Sequence, residues 1–205
     1  MYLVADITEH EMVATFLRTE IRSERFRHKI VRLVQRDAVS PAVIEQPDVS
    51  NPEENAYRIR LLGEFRGYGQ NRDMFEQFPA HVMWQRVALT PAELLQAKYI
   101  DYDYWNELSN GTRSPLEAAK TIRAGRTVFG VSNDPALRTA DALRHGAVFP
   151  ELILVRAAAE RPMVVLEGHF RLTVYALVPE LIPADVTVIL GTSPDIIHWV
   201  DYGLL

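Results

Sequence analysis

Glu167, Gly168, His169 and Arg171 fall within five positions, after the apolar run Met163-Val164-Val165-Leu166 and directly before Leu172-Thr173-Val174-Tyr175-Ala176-Leu177, which reads as a helix. A strand that turns on a glycine into a helix makes an anion site. The glycine lets the backbone approach a ligand, the first helical N–H groups have no internal acceptor, and an arginine fork points at the same place. A phosphate suits that arrangement best. Arg171 is the main candidate to hold it, and its other reading is an ion pair with Glu167 or another carboxylate. His169 could donate to a phosphate, transfer a proton or cap the helix. Glu167 could bind a metal through an oxygen, orient His169, or simply be a solvated acid closing a strand. Thr173 is a further ligand candidate, weighed against packing or back-bonding within the helix.

Other clusters carry weaker signals. Thr192 and Ser193 follow a strand-like run at 186–190 and offer hydroxyls to a phosphate or ribose, although Ser193 ahead of Pro194-Asp195 also suits a helix cap. Asp195, His198 and Asp201 recur at three-residue steps, a metal pattern set against a surface histidine and a dipole-favourable aspartate. Asp101 and Asp103 flank Tyr102, as a two-carboxylate cation site or as helix caps. Thr112 and Arg113 lie in a loop that could close over a ligand. Farther upstream, Arg18, Arg22, Arg25, Lys29, Arg32 and Arg36 recur at alternating four- and three-residue steps. On one continuous helix they form a cationic stripe able to follow a nucleic-acid backbone, or a solvated face opposite Phe16, Leu17, Ile21, Ile30, Leu33 and Val34.

The elements that position these residues belong to an ordinary folded chain of 205 residues, 48% hydrophobic and 24% charged, with length for one domain and an extension. A net charge of -5 and a pI near 5.7 give no overall positive field to hold nucleic acid or an anionic membrane. The absence of cysteine excludes disulfides, thiolate metal sites and cysteine nucleophiles. No apolar run reaches membrane-spanning length, and a start bearing Asp6, Glu9 and Glu11 does not resemble a secretion signal. The expectation is a cytoplasmic protein with no membrane partner, whose three tryptophans and apolar content leave room for a homodimer interface.

Thr8 and Glu11 form a capping-box pattern ahead of a stretch free of Gly and Pro to Arg36, which predicts one long helix or two short ones. Residues 37–54, with Pro41, Pro47 and Pro52, read as a connection, and 57–65 alternates as a strand. A strand over 82–89 runs through Thr90-Pro91-Ala92-Glu93 into a helix. Helices follow over 102–108, 114–124 and 135–145, the last stopped by Gly146. Strands over 152–155 and 163–166, a helix over 171–178, a strand over 186–190 and a short helix after Ser193 complete an α/β (α+β) pattern.

The run His145-Gly146-Ala147-Val148-Phe149-Pro150-Glu151-Leu152-Ile153-Leu154-Val155, followed by Leu166-Glu167-Gly168-His169-Phe170-Arg171-Leu172 and a helix, resembles the ParB/sulfiredoxin superfamily. In that superfamily a strand ends in a Gly-containing turn whose variable residue and Arg meet nucleotide phosphates. The likeness covers the chain from about residue 82 and is most specific over 150–176. Sulfiredoxins place a nucleophilic cysteine where His169 stands, so their reaction is excluded. ParB proteins carry Glu-Arg-Arg after the Gly, to which only Arg171 corresponds. Free-serine kinases carry Asp-Gly-His-His-Arg, which Glu167, Gly168, His169 and Arg171 match in type while Phe170 replaces the second His.

The resemblance implies a ParB/sulfiredoxin-like small mixed sheet with flanking helices over 81–205, preceded by a helical extension over 1–80. It implies a site for ATP or another nucleotide with Mg²⁺, in a phosphoryl-transfer or nucleotide-hydrolysing protein acting on a small-molecule acceptor. Glu167 and His169 would be catalytic, Glu167 would hold the metal, and Gly168, Arg171, Thr173, Thr192 and Ser193 would bind the nucleotide. The alternatives are a nucleotide-responsive DNA-binding or nuclease-like module, with the Arg stripe as its contact surface, and a non-catalytic family member.

Overall fold

A computed structural model describes residues 1–203. Five strands, β1 (Tyr2–Asp6), β2 (Met83–Leu89), β3 (Ile153–Arg156), β4 (Val164–Glu167) and β5 (Val186–Thr192), form one mixed sheet in the order β1-β2-β5-β3-β4. Only β3 and β5 run parallel. Beyond β4, Lys98 pairs with the strand through Lys98 N–H to Met163 O and Val165 N–H to Lys98 O, each 2.8 Å, which covers that edge.

The helices divide between the two faces in chain order. α1 (Glu9–Glu20), α2 (Arg27–Arg36), α3 (Ala42–Glu45) and α4 (Pro52–Arg66) cover one face. α5 (Pro91–Gln96), α6 (Asp103–Leu108), α7 (Pro115–Arg123), α8 (Asp134–Arg144) and α9 (His169–Leu177) cover the other. Side chains of a strand alternate between faces, so Ile153, Val155, Val164, Leu166 and Ile189 enter the first core while Leu154, Val165, Val188 and Leu190 enter the second. Burial on both sides explains why these strands read as continuous apolar runs. Among the described residues no helix is long and apolar enough to cross a membrane.

Two features, at 57–65 and at the first residues, differ from the sequence-based expectation, and the stretch up to Arg36 takes the second of the two forms expected for it. Residues 57–65 are not a strand but lie inside α4, because local capping decides the matter: Asn51 Oδ1 accepts from the N–H groups of Glu53 and Glu54, Pro52 occupies the first turn, and Gly67 ends the helix at φ 89°. The stretch up to Arg36 breaks between α1 and α2, where Phe26 turns in to meet Phe65, ring centroids 5.7 Å apart, and the guanidinium of Arg66 at 3.9 Å. The Arg stripe is therefore not one continuous helix face. The first residues form β1, which pairs with β2 around an irregularity between Leu3 and Ala5.

The 37–54 connection is ordered from within α4. Arg58 is fully buried and donates to Val43 O at 2.9 Å, Asp48 O at 2.8 Å and Glu54 Oε2 at 3.0 Å, tying the proline-rich segment to the helix. Removing a buried charge leaves its partners uncompensated. Arg58→Ala should cost about 3–5 kcal/mol in urea unfolding, and a loss under about 1 kcal/mol would show that the segment is held by something else.

Candidate functional site

β4 delivers Glu167 to the end of the sheet, and Gly168 turns the chain at φ 108°, ψ 20°, a left-handed conformation that side chains resist. A Cβ there would lie 2.9 Å from Leu152 Cγ and 3.1 Å from Arg171 Nη2, so space as well as backbone angle requires glycine. α9 starts at once, with Leu172 N–H bonded to Gly168 O at 2.9 Å. The N–H groups of its first turn have no helical acceptor. Arg171, 7% exposed, forms the ion pair with Glu167 that the sequence left open. Its Nη1 also donates to Pro150 O at 2.7 Å and Glu151 O at 2.8 Å, stapling the approach to β3 onto the turn. Burial pushes the Glu167 carboxyl upward, the Arg171 charge draws it down, and Glu20 pushes it up again.

His169 lies against an aromatic stack. Its ring is 5.2 Å from Trp105 at 18° and 6.3 Å from Tyr99 at 16°, and Tyr99 and Trp105 stack at 4.5 Å. The residue is partly exposed, yet its Nε2 is sealed and has no hydrogen-bond partner among the described residues. Burial, reinforced by the charges of Arg66 and Arg171, lowers its pKa to about 3 and keeps the ring neutral. Thr173 does not face a ligand space: it is 2% exposed, its Oγ1 donates to His169 O at 2.9 Å and shares a 2.6 Å hydrogen bond with Tyr99 Oη. Back-bonding within the helix is its role, because the hydroxyl points into the core rather than the turn.

The N-terminal helices complete the cluster. Glu20, at the end of α1 and 6% exposed, pairs with Arg66 of α4 at 2.7 Å. Burial raises the Glu20 carboxyl, Arg66 lowers it by charge and hydrogen bond, and Arg171 adds a smaller lowering. Glu20 Oε2, Arg66 Nε and His169 Nε2 are all buried without a partner among the described residues. Buried polar atoms are nearly always satisfied, so three in one charged cluster stand out, with Tyr57 Oη and Arg58 Nε left in the same way outside it. Neither Glu20 nor Arg66 was visible as a site residue in the sequence. No motif or spacing singles out Glu20, and Arg66 follows directly on 57–65, whose pattern reads as a strand.

The structure separates Thr192 and Ser193 from this cluster. Thr192 pairs with Arg156 at one end of β3, whereas Glu167 pairs with Ile153 at the other, roughly 10 Å away along the strand. Both residues instead line a cavity of about 450 Å³ with Glu9, Tyr68, Val82 and Trp84. Ser193 precedes a 3-10 turn, Pro194–His198, and makes no side-chain cap there. That turn ends at His198 and Trp199 is extended at ψ 126°, so Asp201, in a separate turn, does not continue the three-residue spacing of Asp195 and His198. Among the described residues no three His, Asp or Glu side chains gather to hold a metal ion. Glu167, already paired with Arg171, is no cage for Mg²⁺ by itself.

The remaining candidates close their own turns. Asp101 Oδ1 accepts from Asn106 Nδ2 at 2.7 Å, and its backbone N–H bonds to Asp201 O at 2.7 Å. Asp103 is the first residue of α6. Thr112 Oγ1 donates to Ser109 O at 2.8 Å, and Arg113, 6% exposed, donates from Nε to Tyr99 O at 2.8 Å. Arg113 supports the aromatic stack rather than a lid. No protein-family profile matches this chain, and no curated protein or solved structure matches it.

The neutral His169 sets a pH signature. The folded ring binds a proton only below about 3, the unfolded ring below about 6.5. Between those values the unfolded state binds more protons. The contribution of His169 to stability is therefore fully present above about 6.5 and lost as pH falls toward about 3, by up to about 1.4 kcal/mol per pH unit. Glu20 and Glu167, both raised, give slopes of the opposite sign that are shared by a His169→Gln variant. Urea unfolding at about pH 7 and about pH 4 should show the wild type losing more stability than His169→Gln. Equal losses would mean that the ring titrates as in water.

Proposed function

We propose that this protein binds a nucleotide or another phosphorylated small molecule at the Gly168 turn, as the ParB/sulfiredoxin-like resemblance leads one to expect. The observation that carries the reading is the unpartnered polar set of Arg66 Nε, His169 Nε2 and Glu20 Oε2 beside a glycine-led helix start. Arg66 Nε and the free N–H groups of α9 are donors in need of an acceptor, which a phosphate oxygen provides. Burial pushes the Glu20 carboxyl upward, and its ion pair with Arg66 offsets the repulsion an anion would otherwise meet there. His169, neutral at physiological pH, suits hydrogen bonding rather than charge neutralisation or proton acceptance. Arg171 contributes through the shape of the turn, since its Nη donors already serve Glu167 and two carbonyls. The proposal is one of binding. Phosphoryl transfer to a small acceptor, or hydrolysis, would require Glu167 to leave Arg171.

Calorimetric titration of ATP, CTP, GTP and ADP, each with Mg²⁺, into the wild type and Arg66→Met tests the reading. At least one nucleotide should bind, and the variant should bind it about tenfold or more weakly, the worth of a hydrogen bond to a charged group. Thermal unfolding of the same samples separates lost binding from lost fold. No heat with any nucleotide in a folded wild type would reject the proposal.

A second reading, DNA binding, rests on one specific observation. Arg22, Arg25, Arg27, Lys29 and Arg32 are exposed and make no ion pair among the described residues, whereas Arg36 is engaged by Asp37 and Glu64. Five such cations within eleven residues form a local positive surface on a chain of net charge -5. If all five meet phosphates, the logarithm of affinity for a DNA duplex should fall with the logarithm of salt at a slope of about -4.5. Changing Arg25, Lys29 and Arg32 to Gln should flatten that slope by about 2.7; an unchanged slope would rule this surface out.

A further inference from the structure

The cavity beside Thr192 and Ser193 is chemically unlike the Gly168 turn. Its walls come from α1, from the 68–84 segment and from the end of β5, and its lining holds no lysine or arginine, with His81 as its basic side chain. Its charged lining residue is Glu9, at the start of α1. Tyr68 Oη donates to Glu9 Oε1 at 2.5 Å, which orients the carboxylate and leaves Oε2 to accept from a ligand. Glu9 makes no ion pair among the described residues. Tyr68 is itself held in place: it is 9% exposed, its ring packs edge-on against Phe75 at 4.8 Å, and it follows Gly67, where a Cβ would lie 2.0 Å from Arg72 O.

The opposite wall is apolar and close-packed. At Gly191 a Cβ would come within 2.5 Å of Trp84 Cζ3 and 2.7 Å of Val82 Cγ1, so glycine lets both side chains lie flat across β5. Ser193, 4% exposed, lines the cavity with Thr192 beside it. Hydroxyls and a carboxylate accept hydrogen bonds, and an indole with a valine accepts an apolar body. A volume of about 450 Å³ lies within the ordinary range of small-molecule sites.

We propose that this cavity is a second, separate binding site, which takes a small organic cation: an amine whose ammonium meets Glu9, with Ser193 and Thr192 as further acceptors, and whose compact apolar body lies on Val82 and Trp84. Anions are disfavoured at the Glu9 end, where the carboxylate makes no ion pair among the described residues, and the basic groups nearby, His81 and the Arg156 that reaches Thr192 Oγ1 at 3.4 Å, are on other segments of the chain. The site is thus selective in the opposite sense to a phosphate site and does not depend on the nucleotide reading. A ligand of this class would meet a largely formed pocket, since Tyr68, Trp84 and Ser193 are each more than nine-tenths buried.

Cyclohexylamine, cyclohexanol and cyclohexanecarboxylate share one apolar body and differ in charge, which makes them suitable probes. Each would be titrated into the full chain while the indole N–H resonance of Trp84, assigned with Trp84→Phe, is followed by NMR. Cyclohexylamine should shift that resonance saturably, and cyclohexanol and the carboxylate should bind at least tenfold more weakly. Glu9→Gln should weaken the amine at least tenfold while Ser193→Ala weakens it less, with thermal unfolding confirming that both variants fold. No saturable shift, equal binding of alcohol and amine, or an unchanged affinity in a folded Glu9→Gln would overturn the assignment. Because no nucleotide is present, failure here leaves the reading of the Gly168 turn untouched.

Discussion

The burial of β3, β4 and β5 on both faces governs where polar chemistry can occur in this fold. Every side chain along these strands from Ile153 to Val155 and from Val164 to Leu166 is removed from water, so each strand must be apolar throughout. Hydrogen-bonding and charged groups are pushed to the strand ends. One end holds Glu167, Gly168 and Arg171, and the other holds Arg156, Thr192 and Ser193. Two chemically different regions follow from this one constraint. The first is built from buried charges and helix N–H groups, the second from hydroxyls, a carboxylate and an indole.

Buried charge is costly, and the way it is balanced accounts for the role of the N-terminal helices. Glu167 and Arg171 form one pair and Glu20 and Arg66 another, and their charges act on each other and on His169. Two acids and two bases leave the cluster formally neutral, which lowers the desolvation penalty of each member. A carboxylate accepts several hydrogen bonds and a guanidinium donates five, so pairing by itself does not satisfy them. Arg58 also keeps its Nε without a partner among the described residues, while the rest of its guanidinium meets two carbonyls, Glu54 and Asn55 within its own segment. Arg58 closes a structural connection with one such atom, whereas the cluster at Gly168 holds three, on three different residues.

Much of the architecture was legible because its signals are local. The capping boxes at Thr8 and Thr90 start α1 and α5 as expected. Gly146 stops α8 at φ 88°, and the Gly168 turn joins a strand directly to a helix. The misreading of 57–65 shows the limit of alternation. Tyr57, Ile59, Leu61 and Phe65 fall at strand-like steps, but Asn51, Pro52 and Gly67 enclose them in a helix. Alternation over nine residues is a weaker constraint than a cap at each end. β1 escaped because a single short edge strand has meaning only once β2 is known to lie beside it.

By itself the sequence determined the type of each strong local element, the glycine-led turn at 168, and the identity of the residues placed there. These follow from short-range physics: backbone angles, caps, and the 2.0 and 3.6 periodicities. Tertiary structure alone decided that Arg171 serves Glu167 and two carbonyls, that Thr173 faces Tyr99, and that Thr192 and Ser193 belong to a different cavity. It alone brought Glu20 and Arg66 to the turn from more than 100 positions upstream. The reason is that partnership among polar groups is set by distance in space, through packing of two helical layers on opposite faces of one sheet, and no spacing along the chain encodes it.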